Sequence, residues 1–308
     1  MKEKTFSHPL IIRVHVFGED IKHSRLEPSM ETIYQIIETA MPFQWMSYDF
    51  MKNAFLAIIM ITPLFGILGT MIVNNRMAFF SDALGHSALT GMAIGVLLGI
   101  MDSNISMVLF AIVFALVLNK IKRRKAVSTD TVISVFSSLS TALGLVILSK
   151  GGNFSKYSGL LVGDILSITS KEILLLFMVF IITIAFWYVG FNKLHAISIS
   201  ETLAKSKHIN VALIDNIFVV IIALIVMLSI KWVGILIINA LLILPAAASR
   251  NLASNMREYH LFSVLISVFS GILGLILSYY NSTATGPTIV IVAAVIFFIT
   301  LICKPLVK

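Results

Sequence analysis

Charge is what this sequence has least of. Only 12% of its 308 residues are Asp, Glu, Lys or Arg, while 58% are hydrophobic. Its mean hydropathy is +0.98. A water-soluble domain carries about 25% charged residues to solvate its surface, so this chain excludes itself from that class. Cysteine is almost absent. Lone Cys303 excludes an internal disulfide and a thiolate cluster and reads as a small packing residue. There is no GxxxxGK[ST] loop, so nothing in the chain cradles the phosphates of ATP. HExxH and GxSxG are missing as well, which removes the usual signatures of an intramembrane protease or hydrolase. The chain does not read as an enzyme.

What is present is apolar sequence in long runs. They fall near 53–73, 77–100, 104–119, 131–149, 171–191, 211–230, 232–248, 261–280 and 284–303. Most approach the roughly 20 residues needed to cross about 30 Å of hydrocarbon. The fold class expected is an all-α membrane protein, a polytopic bundle of about nine transmembrane helices over 50–304. Residues 211–248 are too long for one span, and Lys231–Trp232 divide them. Residues 150–170, with LLVGDILSI too short to cross, suggest a loop with a short or re-entrant helix. Residues 1–49 are polar, hold His8, His15 and His23, and contain no signal-peptide core. They read as an N-terminal tail with an interfacial helix at 31–46, and Met30 is a second candidate start. Residues 305–308 read as a cytoplasmic C-terminus.

The net charge of +8 does not point to nucleic acid, because the basic residues sit between the apolar runs. KIKRRK (120–125) marks a cytoplasmic loop. Alternation from it places thirteen basic residues inside, Arg76, Lys193, Lys205, Arg250 and Arg257 among them, against five outside. The N-terminal tail falls outside and the C-terminus inside. The partner surface expected is the lipid bilayer.

Ionisable groups inside lipid-spanning helices are costly and point to function. Of fifteen acidic residues only Asp82 lies well within an apolar run; Asp164 and Asp215 lie at edges. Of seven histidines only His86 does so. The two are four apart in SDALGHSALTGMAIG, one helical turn, so they share a face. A carboxylate and an imidazole are half of a site for zinc, manganese or iron, and the lack of thiols argues against copper(I). The bland alternatives are a helix N-cap at Ser81 or Asp82, a His86 bonded to a carbonyl, and a pair bonded only to itself. Gly91, Gly95 and Gly99 form a small-xxx-small row that favours close helix approach. The expectation is a helix lining a narrow route.

In VGILIINALLILPAAASRNLASNMRE (233–258), Asn239 lies mid-span, where it can reach a metal or another helix. Pro245 ends or kinks the span. A small, basic stretch follows, suited to docking a soluble partner.

At these residues the chain resembles the membrane permeases of zinc and manganese ABC importers. The likeness runs from about Tyr48 to Lys304. It is carried in order by GILGTMIVNNRMAFFSDALGHSALTGMAIGVLLG, LLVGDILSIT, VGILIINALLILPAAASRNLA and TATGPTIVIVAA. The resemblance implies a homodimer in a bacterial cell membrane, with the ion path along the dimer axis. It implies Asp82 and His86 as metal ligands, and an ATPase-coupling region at Pro245, Ala246, Ala247 and Arg250. It also implies an ABC ATPase subunit and an extracytoplasmic metal-binding protein as partners. No permanently bound cofactor is expected; the divalent ion, zinc favoured over manganese or iron, is cargo moved by alternating access. SETLAKSKHIN (200–210) is similar to the family's cytoplasmic loop but lacks the usual glycine near its end. The competing reading is a secondary transporter driven by an ion gradient, which often shows inverted repeats. One deep carboxylate and no clear repeat speak against it.

Overall fold

The computed structural model describes residues 34–37, 39, 43–100, 103–123, 128–150 and 158–307. The polar tail with His8, His15 and His23, and the second candidate start at Met30, lie outside these residues. Within the expected interfacial segment, 34–37 and 39 are helical and Gln44–Ser47 forms a 3-10 turn. Tyr34 reaches back to bond Asn53, and Trp45 and Met46 are buried against the bundle.

Every apolar run becomes a helix, and no strand occurs among the described residues. The helices are α1 Asp49–Asn74, α2 Phe80–Leu97, α3 Ser103–Lys122, α4 Thr129–Lys150 and α5 Ser170–Ile199. There follow a short α6 Glu201–Ser206, then α7 Val211–Val233, α8 Ile235–Leu252, α9 Met256–Asn281 and α10 Thr285–Val307. The nine long helices are not equivalent spans. Seven are long and apolar enough to cross a membrane. The other two, α2 and α8, are 18 residues each. Glycine, hydroxyl and amide side chains replace part of their apolar surface, because these two face other helices.

Local chemistry sets the boundaries. Thr169 and Glu172 form a reciprocal capping box at the start of α5. Ser200, Asn210 and Asn255 cap α6, α7 and α9 by accepting from the backbone N–H three residues on. Gly99, at φ 69°, ends α2 with the Ile100 N–H donating back to the Gly95 carbonyl. Gly99 therefore terminates the helix, and nothing lies within 4 Å of where its Cβ would be. Pro245 does not end α8, which continues to Leu252.

The α7–α8 division falls at Gly234, three residues beyond Lys231, because Gly234 takes φ 93°, which disfavours other residues. Gly163, at φ 70°, meets it: a Cβ on either glycine would lie within 2.5 Å of the other segment's backbone. Residues 158–168 thus form a loop with two 3-10 turns, Ser158–Leu161 and Ile165–Ser167, laid against the reversal. The Asp164 N–H donates to the Lys231 carbonyl, and Lys231 pairs with Glu172 at 2.6 Å. Gly286, at the start of α10, approaches the Val233 carbonyl. LLVGDILSIT, VGILIINALL and TATGPTIV, distant in sequence, therefore converge on one backbone contact.

α8 is the hub, packed against α1, α2, α9 and α10, while α2 packs against α3, α4, α7 and α8. Gly69 of α1 lies under the Leu242 carbonyl, and Gly66 meets Val264 of α9. α4, α5 and α10 form the periphery, with rows of exposed Leu, Ile, Val and Phe for lipid.

Candidate metal route

α2 is held on three sides along its length. Gly85 sits against Ile235 and Ile238 of α8, Gly91 and Gly95 against α3, and Thr90 against Gly144 and the Ser140 carbonyl of α4. The small residues thus do packing work, allowing close helix approach. Between Phe80 and Ala93 only Asp82 and His86 escape burial. With exposed Phe79 they form a stripe spaced three and four apart, the one face of this stretch that a single chain leaves open.

The cap and carbonyl alternatives do not take up these two side chains; the two pair only with each other, as an ion pair. Phe79 stands at the N-cap position and no side chain caps α2. Ser81 instead donates to the Asn239 carboxamide oxygen on α8. Neither Asp82 nor His86 makes a hydrogen bond among the described residues. His86 Nε2 stands 3.8 Å from Asp82 Oδ1, too far for a hydrogen bond. A tetrahedral zinc bound to both would hold N and O about 3.4 Å apart, so a small rotamer adjustment closes the gap. The Asp82 side chain remains 37% exposed and that of His86 26%, so both are open to an ion.

The Ser81–Asn239 and Gly85–Ile235 contacts fix the depth of the pair. It lies beside the first turns of α8, beneath the reversal at Gly234. Asn239 is half-buried and uses its oxygen to tie α8 to α2 at Ser81, the residue before Asp82. Among the described residues no group of three or more His, Cys, Asp or Glu gathers anywhere. One chain therefore offers two ligands.

Of the expected coupling residues, Pro245 and Ala246 are buried, Ala247 is half-buried and Arg250 is exposed. Gly69 packs on Ala246, so that stretch is interior. The protruding element at this basic end is α6, with Leu203, Lys205, Ser206, Lys207 and His208 exposed. The turn that lacks the expected glycine is made by His208 itself at φ 56°, followed by an Ile209 N–H to Ala204 carbonyl bond. A cavity of about 380 Å³ opens beside α6, lined by Arg76, Lys122, Arg123, Glu201 and Asp215 among others. Lys122 pairs with Asp215 at 3.7 Å, so Asp215 is a buried tie between α3 and α7 rather than an edge residue.

Sequence reasoning missed two histidines. His195 and His260 lie outside the apolar runs, yet both fall within helices, since α5 continues to Ile199 and α9 begins at Met256. The Asn255–Glu258 cap signal was the clue for His260.

Comparisons with known proteins bear on the family and the fold. The ABC 3 transport family model matches residues 47–304. The chain is 31% identical over 255 residues to the high-affinity zinc uptake system membrane protein ZnuB of Haemophilus influenzae, covering 82% of this chain and 97% of that one. It is 26% identical over 260 residues to the manganese transport system membrane protein MntC of Listeria monocytogenes, covering 84% and 92%. Among solved structures, PsaBC from Streptococcus pneumoniae in complex with Fab superposes with a TM-score of 0.73 at 25% identity, over 88% of this chain and 95% of that one. A putative metal-chelate type ABC transporter in an inward-facing conformation shares the fold, with a TM-score of 0.65 at 13% identity. The chain therefore belongs to the ABC 3 transport family, as a multi-pass membrane permease.

Proposed function

We propose that this permease carries a divalent metal ion, zinc by preference, into the cell as one subunit of an ATP-driven importer. The observation that carries this reading is the Asp82–His86 pair: two metal donors, paired at 3.8 Å only with each other, on the one open face of a packed central helix. Two donors hold a transition metal weakly, as passage requires. A second copy facing the first across a twofold axis would supply two more and complete a four-ligand site. The exposed stripe of Phe79, Asp82 and His86 is the face such a dimer would bury. The names of the zinc and manganese relatives support the cargo class.

In this reading energy comes from another chain, an ATPase, since this sequence has no phosphate loop. We assign ATPase contact to α6 together with the Arg250 end of α8. Both protrude at the same basic end, while Pro245 and Ala246 lie beneath them. ATPase closure would then act on α8, and through Ser81–Asn239 on α2, switching access to the pair. The chain should be co-reconstituted in liposomes with its ATPase and metal-binding protein. ATP hydrolysis is expected to rise on adding zinc-loaded binding protein. Hydrolysis indifferent to zinc and manganese, or transport without any ATPase under a proton gradient, would overturn the assignment.

A further inference from the structure

At the basic end of the bundle the last turns of α5 meet the first turn of α9. His195 Nε2 lies 2.9 Å from His260 Nε2. His260 Nδ1 lies 2.6 Å from Thr70 Oγ1 of α1, and that hydroxyl also reaches the Ile67 carbonyl at 2.6 Å. One set of tautomers satisfies all of these contacts. A hydroxyl has one proton, and a carbonyl can only accept, so the Thr70 proton goes to Ile67. Thr70 must then accept from His260, which places the His260 proton on Nδ1 and leaves a lone pair at Nε2. His195 Nε2–H donates to that lone pair.

His260 so presents an oriented lone pair of the kind a metal-binding histidine offers. Ligating imidazoles donate the remote ring N–H to an oxygen that fixes tautomer and ring angle, and Thr70 does this for His260. His195 is half-exposed, so it can move its proton to Nδ1 at small cost and turn a second lone pair inward. Two nitrogens on a tetrahedral zinc stand about 3.3 Å apart, so the nitrogens need to separate by about 0.4 Å and both rings to turn until their lone pairs converge on the ion. Phe191 stacks edge-on against both rings and Trp187 against His260, holding them in place.

We propose that His195 and His260 form a second divalent-metal site, distinct from Asp82–His86, reached from the basic end of the bundle and tying α5 to α9. Water supplies the remaining ligands, since no third His, Cys, Asp or Glu joins the pair among the described residues.

The test uses the full-length chain in lipid nanodiscs with Asp82→Ala, His86→Ala, His8→Gln, His15→Gln and His23→Gln. That removes every other histidine except the solitary His208. Zinc is titrated against a competing chelator, and melting is followed with and without zinc. One zinc per chain and a zinc-dependent rise in melting temperature are expected. His195→Gln or His260→Gln should abolish both while leaving the zinc-free melting temperature close to that of the parent. Thr70→Val, which keeps the shape but removes the orienting oxygen, should weaken binding about tenfold. Absence of zinc binding in the parent, or binding unchanged in both glutamine variants, would overturn the proposal and leave the pair a packing hydrogen bond. Because the Asp82–His86 pair is removed throughout, either outcome leaves the transport reading untouched.

Discussion

α10 and α2 are both apolar helices, yet their surroundings are opposite. Only 22% of the most apolar window of α10 is buried, and Ile291, Val295, Phe298, Ile299 and Ile302 project outward. In α2 almost everything from Phe80 to Ala93 is buried except Asp82 and His86. An apolar run says that a helix avoids water. Side-chain size says what replaces the water: large aliphatic groups face lipid, while glycine, alanine and serine let other helices approach. The chemistry sits on the second kind of helix, where neighbours hold the geometry of the polar groups.

The comparison breaks or sharpens at particular residues. The largest effect is expected at Gly234. Alanine there meets the Val162 carbonyl at 2.3 Å and must hold φ 93°, costing about 3 kcal/mol. Melting in detergent, followed by size-exclusion chromatography, should show it as loss of monodisperse protein. Next, Gly69→Ala places a methyl 1.9 Å from the Leu242 carbonyl and should cost about 2 kcal/mol by the same measurement. Gly159→Ala, with nothing within 4 Å, should stay within about 0.5 kcal/mol. Equal melting of these two variants would contradict the distinction between packed and open glycines.

Asn239→Ala removes the Ser81 tie between α8 and α2. It should cost about 1 kcal/mol, with Ser81→Ala adding little more in the double variant. Full additivity in that double-mutant cycle would mean that the two residues do not act on each other. Smallest is His208→Gly. It relieves a left-handed residue on the exposed α6 turn and should raise stability by about 1 kcal/mol or less, read as a shift in the same melting curve.

How much of this the sequence carried depends on how local the signal is. The nine helices were legible because burying an unpaired backbone in lipid forces each apolar run into a helix. Asp82 and His86 were legible because both the cost of charge in lipid and their i,i+4 spacing are local facts. The α7–α8 break was misplaced to Lys231–Trp232. Those residues suit an interface, whereas the need for Gly234 comes from Gly163, some seventy residues away. The inequality of α2 and α8 was hidden for a similar reason, since their neighbours belong to tertiary structure. His195 and His260 were passed over because each apolar run stops short of its histidine, while capping and packing carry the helix past it. The Pro245 stretch is small and precedes an arginine, which suits docking a partner, while its small size also lets Pro245 and Ala246 pack inside, with Ala246 against Gly69.

Zinc uptake by the reconstituted importer, comparing the parent with Asp82→Ala/His86→Ala, tests the central claim most directly. The double variant should assemble with its ATPase and melt like the parent, since neither side chain makes a hydrogen bond. It should nevertheless lose zinc uptake. Uptake at the parent's rate in a properly assembled double variant would contradict the account and move the ion's route off the open face of α2.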